Sequence, residues 1–170
     1  MVSDGSTAWP APAAHPGPAS AVLPAAIAGE LLAHALRSNP NEMCGLILGS
    51  GPAAAGGRAL RFEPTRNAAA SPYRYEMDSK DLLRLTMESD DRDEVFWAIV
   101  HSHTHTPARP SPTDVGLAFY PDALYVLVSL AEEAAGGLQR SLVHPADPSP
   151  RIRAWRIVDR HVFEVALAVE

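Results

Sequence analysis

Three side chains within one short stretch have the types and spacing to hold a metal ion. His101 and His103 follow the apolar run Val95-Phe96-Trp97-Ala98-Ile99-Val100, which reads as a buried interior strand. Side chains two apart on a strand project to the same side, so the two imidazoles leave the strand end as a pair. A carboxylate from the next element, Asp114, completes a set of three neutral or anionic nitrogen and oxygen donors. Catalytic zinc sites use such a set and keep a fourth position for water.

Each of these residues also has a plainer reading. A lone histidine at a strand end is usually held by backbone hydrogen bonds. Ser111-Pro112-Thr113-Asp114 is a good helix start, with Ser111 as N-cap, Pro112 in the first turn and Asp114 closing a capping box. The two readings agree, because a capped helix would hold Asp114 rigidly, as a metal site requires. His105 continues the alternation, but Pro107 and Pro110 end the strand before it can serve as a further ligand. It is expected at the rim of the cleft. Cys44, the one thiol, invites a nucleophile paired with a histidine. No thiol-protease pattern surrounds it, and a buried thiol accounts for it better. A zinc nucleobase deaminase needs H-x-E and a later P-C-x-x-C, neither of which is present.

His101, His103, Ser111 and Asp114 together form H-x-H-x7-S-x2-D, and upstream stands Asn41-Glu42-Met43-Cys44-Gly45-Leu46-Ile47-Leu48-Gly49, of the form E-x-C-G-hydrophobic. On these two motifs the chain resembles the JAMM (MPN-plus, JAB-domain) zinc metalloprotease family, from about Leu23 to the C-terminus. The resemblance implies a zinc ion on His101, His103 and Asp114. It implies Glu42 as the general acid and base, and Ser111 as hydrogen-bond donor to the developing oxyanion. The segment Asn67 to Asp78 resembles the N-x3-S-P-x2-aromatic-x2-D connection of bacterial members. Val100 to Thr104, Tyr125 to Ser129 and Trp155 to Asp159 resemble the bacterial CysO–cysteine peptidase group. This implies a ubiquitin-like sulfur-carrier protein as substrate, cut after its C-terminal glycine to release cysteine. A hydrolase acting on another ubiquitin-like conjugate or a small amide is the alternative. A non-catalytic interaction module is the third reading, and the intact ligand set speaks against it.

The remaining elements must position this set. Residues 1–20, rich in Ala, Pro, Gly and Ser, read as a disordered extension, and residues 21–170 as one domain. Leu23 to Ser38 reads as an amphipathic helix, with Ile27, Leu31 and Ala35 on its buried side and Leu32 and Leu36 beside them. Strands are expected over Glu42 to Leu48 and Ala59 to Thr65. A helix over Ser79 to Ser89, capped by Asp78 or Ser79, makes apolar contacts through Leu82, Leu83, Leu85 and Met87. After Asp114 the short helix continues over Val115 to Phe119. A buried strand follows over Ala123 to Leu130, then a polar excursion from Glu132 to Pro150 with an extended piece at Leu138 to Val143. Arg151 to Val158 and His161 to Leu167 read as a hairpin about Asp159-Arg160. The fold class is α/β, a mixed sheet flanked by helices, which is also the JAB/MPN architecture that the resemblance implies.

Composition narrows the partners. The chain has 170 residues, a net charge of −6 and no basic block, which argues against nucleic acid and against an anionic membrane surface. One cysteine permits no intrachain disulfide and fits a reducing cytoplasm. No stretch is long and apolar enough to span a membrane. The sequence leaves a homo-oligomer open.

Overall fold

The computed structural model describes Gly17, residues 19–131 and residues 151–170. The expected extension over residues 1–20 therefore lies mostly outside the described residues, as do the excursion after Glu132 and its extended piece.

A seven-stranded mixed sheet carries the described chain. Its strands are β1 (Ser20–Leu23), β2 (Cys44–Gly49), β3 (Ala59–Thr65), β4 (Val95–His103), β5 (Leu124–Ser129), β6 (Ile152–Val158) and β7 (His161–Val169), in the order β1-β7-β6-β5-β4-β2-β3. The helices are α1 (Ala25–Ser38), α2 (Ser79–Asp91) and α3 (Pro112–Gly116), with a 3-10 turn at Ala53–Ala55. The apolar run before His101 is an interior strand, antiparallel to β2 and parallel to β5. Backbone pairing on both sides leaves only its two faces for side chains, and both are covered.

The faces carry separate hydrophobic clusters. Ile27, Leu31 and Ala35 of α1 pack with Ile47, Trp97, Val100, Val126 and Val128 on one side. On the other, Leu85 of α2 packs with Leu46, Leu48, Ile99, Tyr125, Leu127 and Trp155. A register shift skips Trp97 between the pairs Ile47–Ala98 and Leu48–Phe96. This bulge turns Trp97 toward the α1 side, so that Ile99, and with it His101 and His103, faces the α2 side. Gly45 is required by space, since a Cβ there would lie 2.6 Å from the Phe62 ring and from the Glu63 carbonyl oxygen.

The structure corrects several expectations. Leu23 ends a strand rather than opening the helix: Ser20–Leu23 pairs in parallel with β7, and Pro24 stands just before α1. Its pairing partner lies at the far end of the chain, which local periodicity cannot reveal. Glu42 precedes β2 rather than starting it. Leu36, Leu83 and Met87 are exposed, because among the described residues nothing covers the outer side of either helix. The short third helix stops at Gly116, with Leu117 as its C-cap. The closing hairpin turns at Asp159 and Arg160, both at positive φ (49° and 65°), as a two-residue turn matching strand twist demands.

Candidate metal centre

His101 and His103 emerge from the end of β4 on one face, as the strand period requires. Each is buried, and their Nε2 atoms lie 3.2 Å apart. Asp114 comes from the first turn of α3. Its Oδ1 lies 3.2 Å from His101 Nε2 and its Oδ2 3.4 Å from His103 Nε2. Donors at zinc bond lengths of about 2.0–2.1 Å in a tetrahedron stand roughly 3.3 Å from one another. The three separations therefore fit one small tetrahedral ion, and all three ligand atoms fall within 4.8 Å of one another.

The surrounding residues aim these donors. His103 Nδ1 lies 2.9 Å from the Pro107 carbonyl oxygen and 3.0 Å from Thr106 Oγ1. Donation of its N–H to Pro107 leaves Nε2 unprotonated and facing the other ligands. The loop bearing Pro107 is anchored in turn. Trp155 Nε1 donates to the Ala108 carbonyl at 3.0 Å, and Ser129 Oγ donates to the Thr106 carbonyl at 2.7 Å. Asp114 is fixed by the capping box: its Oδ2 accepts the Ser111 backbone N–H at 2.7 Å, and Ser111 Oγ accepts the Asp114 N–H at 3.2 Å. Cap and ligand are thus one device.

The ionisation of the set suits a cation. Burial pushes the His101 imidazole below its ordinary pKa, against the pull of Asp114, so it is neutral and free to ligate. Burial acts the same way on His103, but the hydrogen bond to Asp114 and the Pro107 carbonyl outweigh it and raise its pKa. Burial works against the Asp114 carboxylate too, yet the two imidazoles and the Ser111 N–H hold it well below the usual carboxylate range.

Glu42 is buried, 6 % exposed, and lines the same cleft as His103, Ser111 and Asp114. Burial pushes its pKa up to about 7; the His103 charge lowers it and the Asp114 charge raises it. A carboxyl group poised near neutrality can both accept and return a proton. The cap leaves the Ser111 O–H proton free to donate, since Oγ serves there only as acceptor. Cys44 stands across from His101 in the β2–β4 pairing, but it is buried against Thr65, and burial raises its thiol to about 11, so it is held as a neutral thiol. His105 is exposed on the cleft rim, stacked on Tyr73 with centroids 5.5 Å apart.

Several residues that the metal motif does not contain complete the site. Tyr75 stacks on His101 at 4.4 Å and 21° and lines the cleft. It is the aromatic position of the N-x3-S-P-x2-aromatic-x2-D connection, which was the available signal. The first residue of that connection, Asn67, ties it to the site: Nδ2 donates to the Glu42 and Arg74 carbonyls at 3.0 and 3.1 Å. Thr104 Oγ1 donates to the Pro72 carbonyl at 2.7 Å, and the Glu42 N–H donates to the Ser71 carbonyl at 2.9 Å. Ser102 Oγ accepts the Met43 N–H at 2.8 Å, joining the Glu42 segment to the histidine strand. Among the described residues no helix is long and apolar enough to cross a membrane.

Comparison with known proteins agrees with this geometry. Residues 24–157 match the family model for prokaryotic homologs of the JAB domain. The chain is 40% identical over 144 residues to proteins named CysO-cysteine peptidase from Mycobacterium tuberculosis and Mycobacterium bovis, covering 84% of this chain and 86% of those. It is 31% identical over 78 residues to a desampylase of Pyrococcus furiosus, covering 46% of this chain and 52% of that protein. A solved structure from Desulfitobacterium hafniense superposes with a TM-score of 0.69 at 30% identity, over 88% of this chain and 92% of that one. A JAB1/MPN domain protein from Archaeoglobus fulgidus, at 16% identity and TM-score 0.51, shares the fold over 88% of this chain and 97% of that one. The chain belongs to the prokaryotic JAB-domain family, and its fold is the JAB/MPN fold.

Proposed function

We propose that the chain is a zinc-dependent peptidase that hydrolyses the bond after the C-terminal glycine of a ubiquitin-like sulfur-carrier protein, releasing cysteine from a carrier–cysteine adduct. The observation that carries the chemistry is the donor spacing: His101, His103 and Asp114 stand 3.2–3.4 Å apart, with Glu42 in the same cleft. The substrate class is supported by the similarity to the CysO-cysteine peptidases over most of both chains.

A zinc ion held by His101, His103 and Asp114 would polarise the scissile carbonyl and lower the pKa of water from 15.7 toward about 7. Glu42 then takes the proton from the attacking water and delivers it to the departing amine. Its buried position and its pKa of about 7 suit both steps. The Ser111 hydroxyl donates to the oxygen on which negative charge develops. Tyr75 and the Pro107 carbonyl keep the imidazoles in place. The hydroxyl from water stays on the glycine, and the cysteine leaves with a free amine.

The similarity to a desampylase favours a second reading, a hydrolase of the same mechanism acting on another ubiquitin-like conjugate. One experiment separates the two. Zinc-loaded protein is mixed with a ubiquitin-like sulfur carrier ending in Gly-Gly-Cys, and the carrier's intact mass is followed with and without a chelator. Chelator-sensitive loss of one cysteine is expected. A carrier that keeps its mass, beside an isopeptide-linked conjugate that is cleaved, would overturn the first reading in favour of the second.

A further inference from the structure

We infer that Arg74 is a specificity-determining residue that reads the free α-carboxylate of the departing amino acid; this rests on the peptidase reading above. An amino acid released from a carrier tail brings its own carboxylate one residue beyond the scissile bond. A carboxylate ordered against the cleft wall gives up part of its hydration, which a hydrogen-bonding cation outside the ligand set would replace.

Arg74 is the one arginine or lysine among the described residues that line this cleft. Arg61, Arg66, Arg84 and Arg153 are spent in ion pairs, whereas Arg74 is exposed and forms none among the described residues. Its backbone is fixed relative to the chemistry. The Asn67 side-chain amide bridges the Arg74 and Glu42 carbonyls, and the neighbouring Pro72 carbonyl is held by Thr104, next to the ligand His103. A guanidinium presents a planar fork that matches a carboxylate with two parallel hydrogen bonds. An isopeptide leaving group offers no such partner, because the nitrogen belongs to a lysine side chain within a protein. Arg74 thus tunes the site toward release of a single amino acid.

The test compares two substrates on the zinc-loaded full chain: the carrier ending in Gly-Gly-Cys as the free acid, and the same carrier with the terminal carboxylate converted to an amide. The wild type should prefer the acid in kcat/KM by about tenfold or more, as for one charged hydrogen-bonded pair. Arg74→Ala should bring the ratio of acid to amide to about one, mainly through KM for the acid, and Arg74→Lys should restore part of it. Equal cleavage of acid and amide by the wild type, or a preference that survives in Arg74→Ala, would overturn the role of Arg74 while leaving the peptidase intact. Cleavage of neither substrate would instead overturn the peptidase reading, and the inference with it.

Discussion

Glu42 carries the heaviest chemical demand in this site, because one carboxyl group must take a proton and later give it back. Its raised pKa has a thermodynamic consequence that can be measured without any substrate. The carboxyl titrates at about 7 in the metal-free fold, against 4.5 in the unfolded chain. Between these values the folded state binds more protons than the unfolded one, so stability falls as pH rises. Glu42→Gln removes that charge. We expect metal-free Glu42→Gln to gain roughly 2–3 kcal/mol relative to wild type between pH 4 and pH 8, read from denaturant titrations. An unchanged difference across that range would contradict the burial argument. The same variant should retain zinc and lose turnover. Ser111 separates two roles in the same way. Ser111→Ala should lose about 1 kcal/mol as an N-cap, but about a hundredfold or more in kcat as an oxyanion donor. A kcat loss of only a fewfold would leave Ser111 with the capping role alone.

Among the elements, the connection from Asn67 to Asp78 matters as much as the strands. Asn67 makes four side-chain hydrogen bonds: its Oδ1 accepts the Ala69 and Glu76 N–H groups, and its Nδ2 donates to the Glu42 and Arg74 carbonyls. Asn67→Asp preserves shape and both acceptors and removes both donors. We expect it to lower kcat/KM about tenfold with zinc content unchanged, since each lost donor leaves a carbonyl without its partner. Wild-type kcat/KM in Asn67→Asp would show that the Glu42 backbone needs no such brace. The two histidines, the capped helix start and the interior strand were legible in sequence, because periods of two and capping boxes are local codes. The Pro107 carbonyl behind His103, the Trp155 bond to Ala108 and the stacking of Tyr75 on His101 were not. Each joins residues brought together only by the sheet, so no local period records them. Leu23 failed for the same reason: its strand partner is Val169.

At the scale of the whole molecule, the sheet brings Glu42 before β2 and the histidines at the end of β4 to one edge of two adjacent antiparallel strands. The α3 helix start then closes the site from the side. The ligand trio is already assembled in the fold, so an ion that binds it stabilises the native state by mass action. With free zinc about a hundredfold above its dissociation constant the gain is about 2.7 kcal/mol. For a domain of this size that corresponds to roughly 5–10 °C in Tm. Chelation should therefore lower Tm by that amount, as followed by scanning calorimetry, and a chelator-insensitive Tm would contradict a preformed metal centre. The α/β class and the family could be read from motif order. The parallel pairing of the first described strand with the last could not, because it closes the sheet across almost the entire chain.

Everything in the chemical account depends on an ion at His101, His103 and Asp114, so the most direct measurement is zinc content. Wild type and Asp114→Ala are equilibrated in zinc-buffered solution, freed of unbound metal, and compared by elemental analysis. We expect about one zinc per chain in the wild type and a large loss in Asp114→Ala, with both proteins folded by circular dichroism. Equal zinc in the two proteins, or none in the wild type, would contradict this expectation.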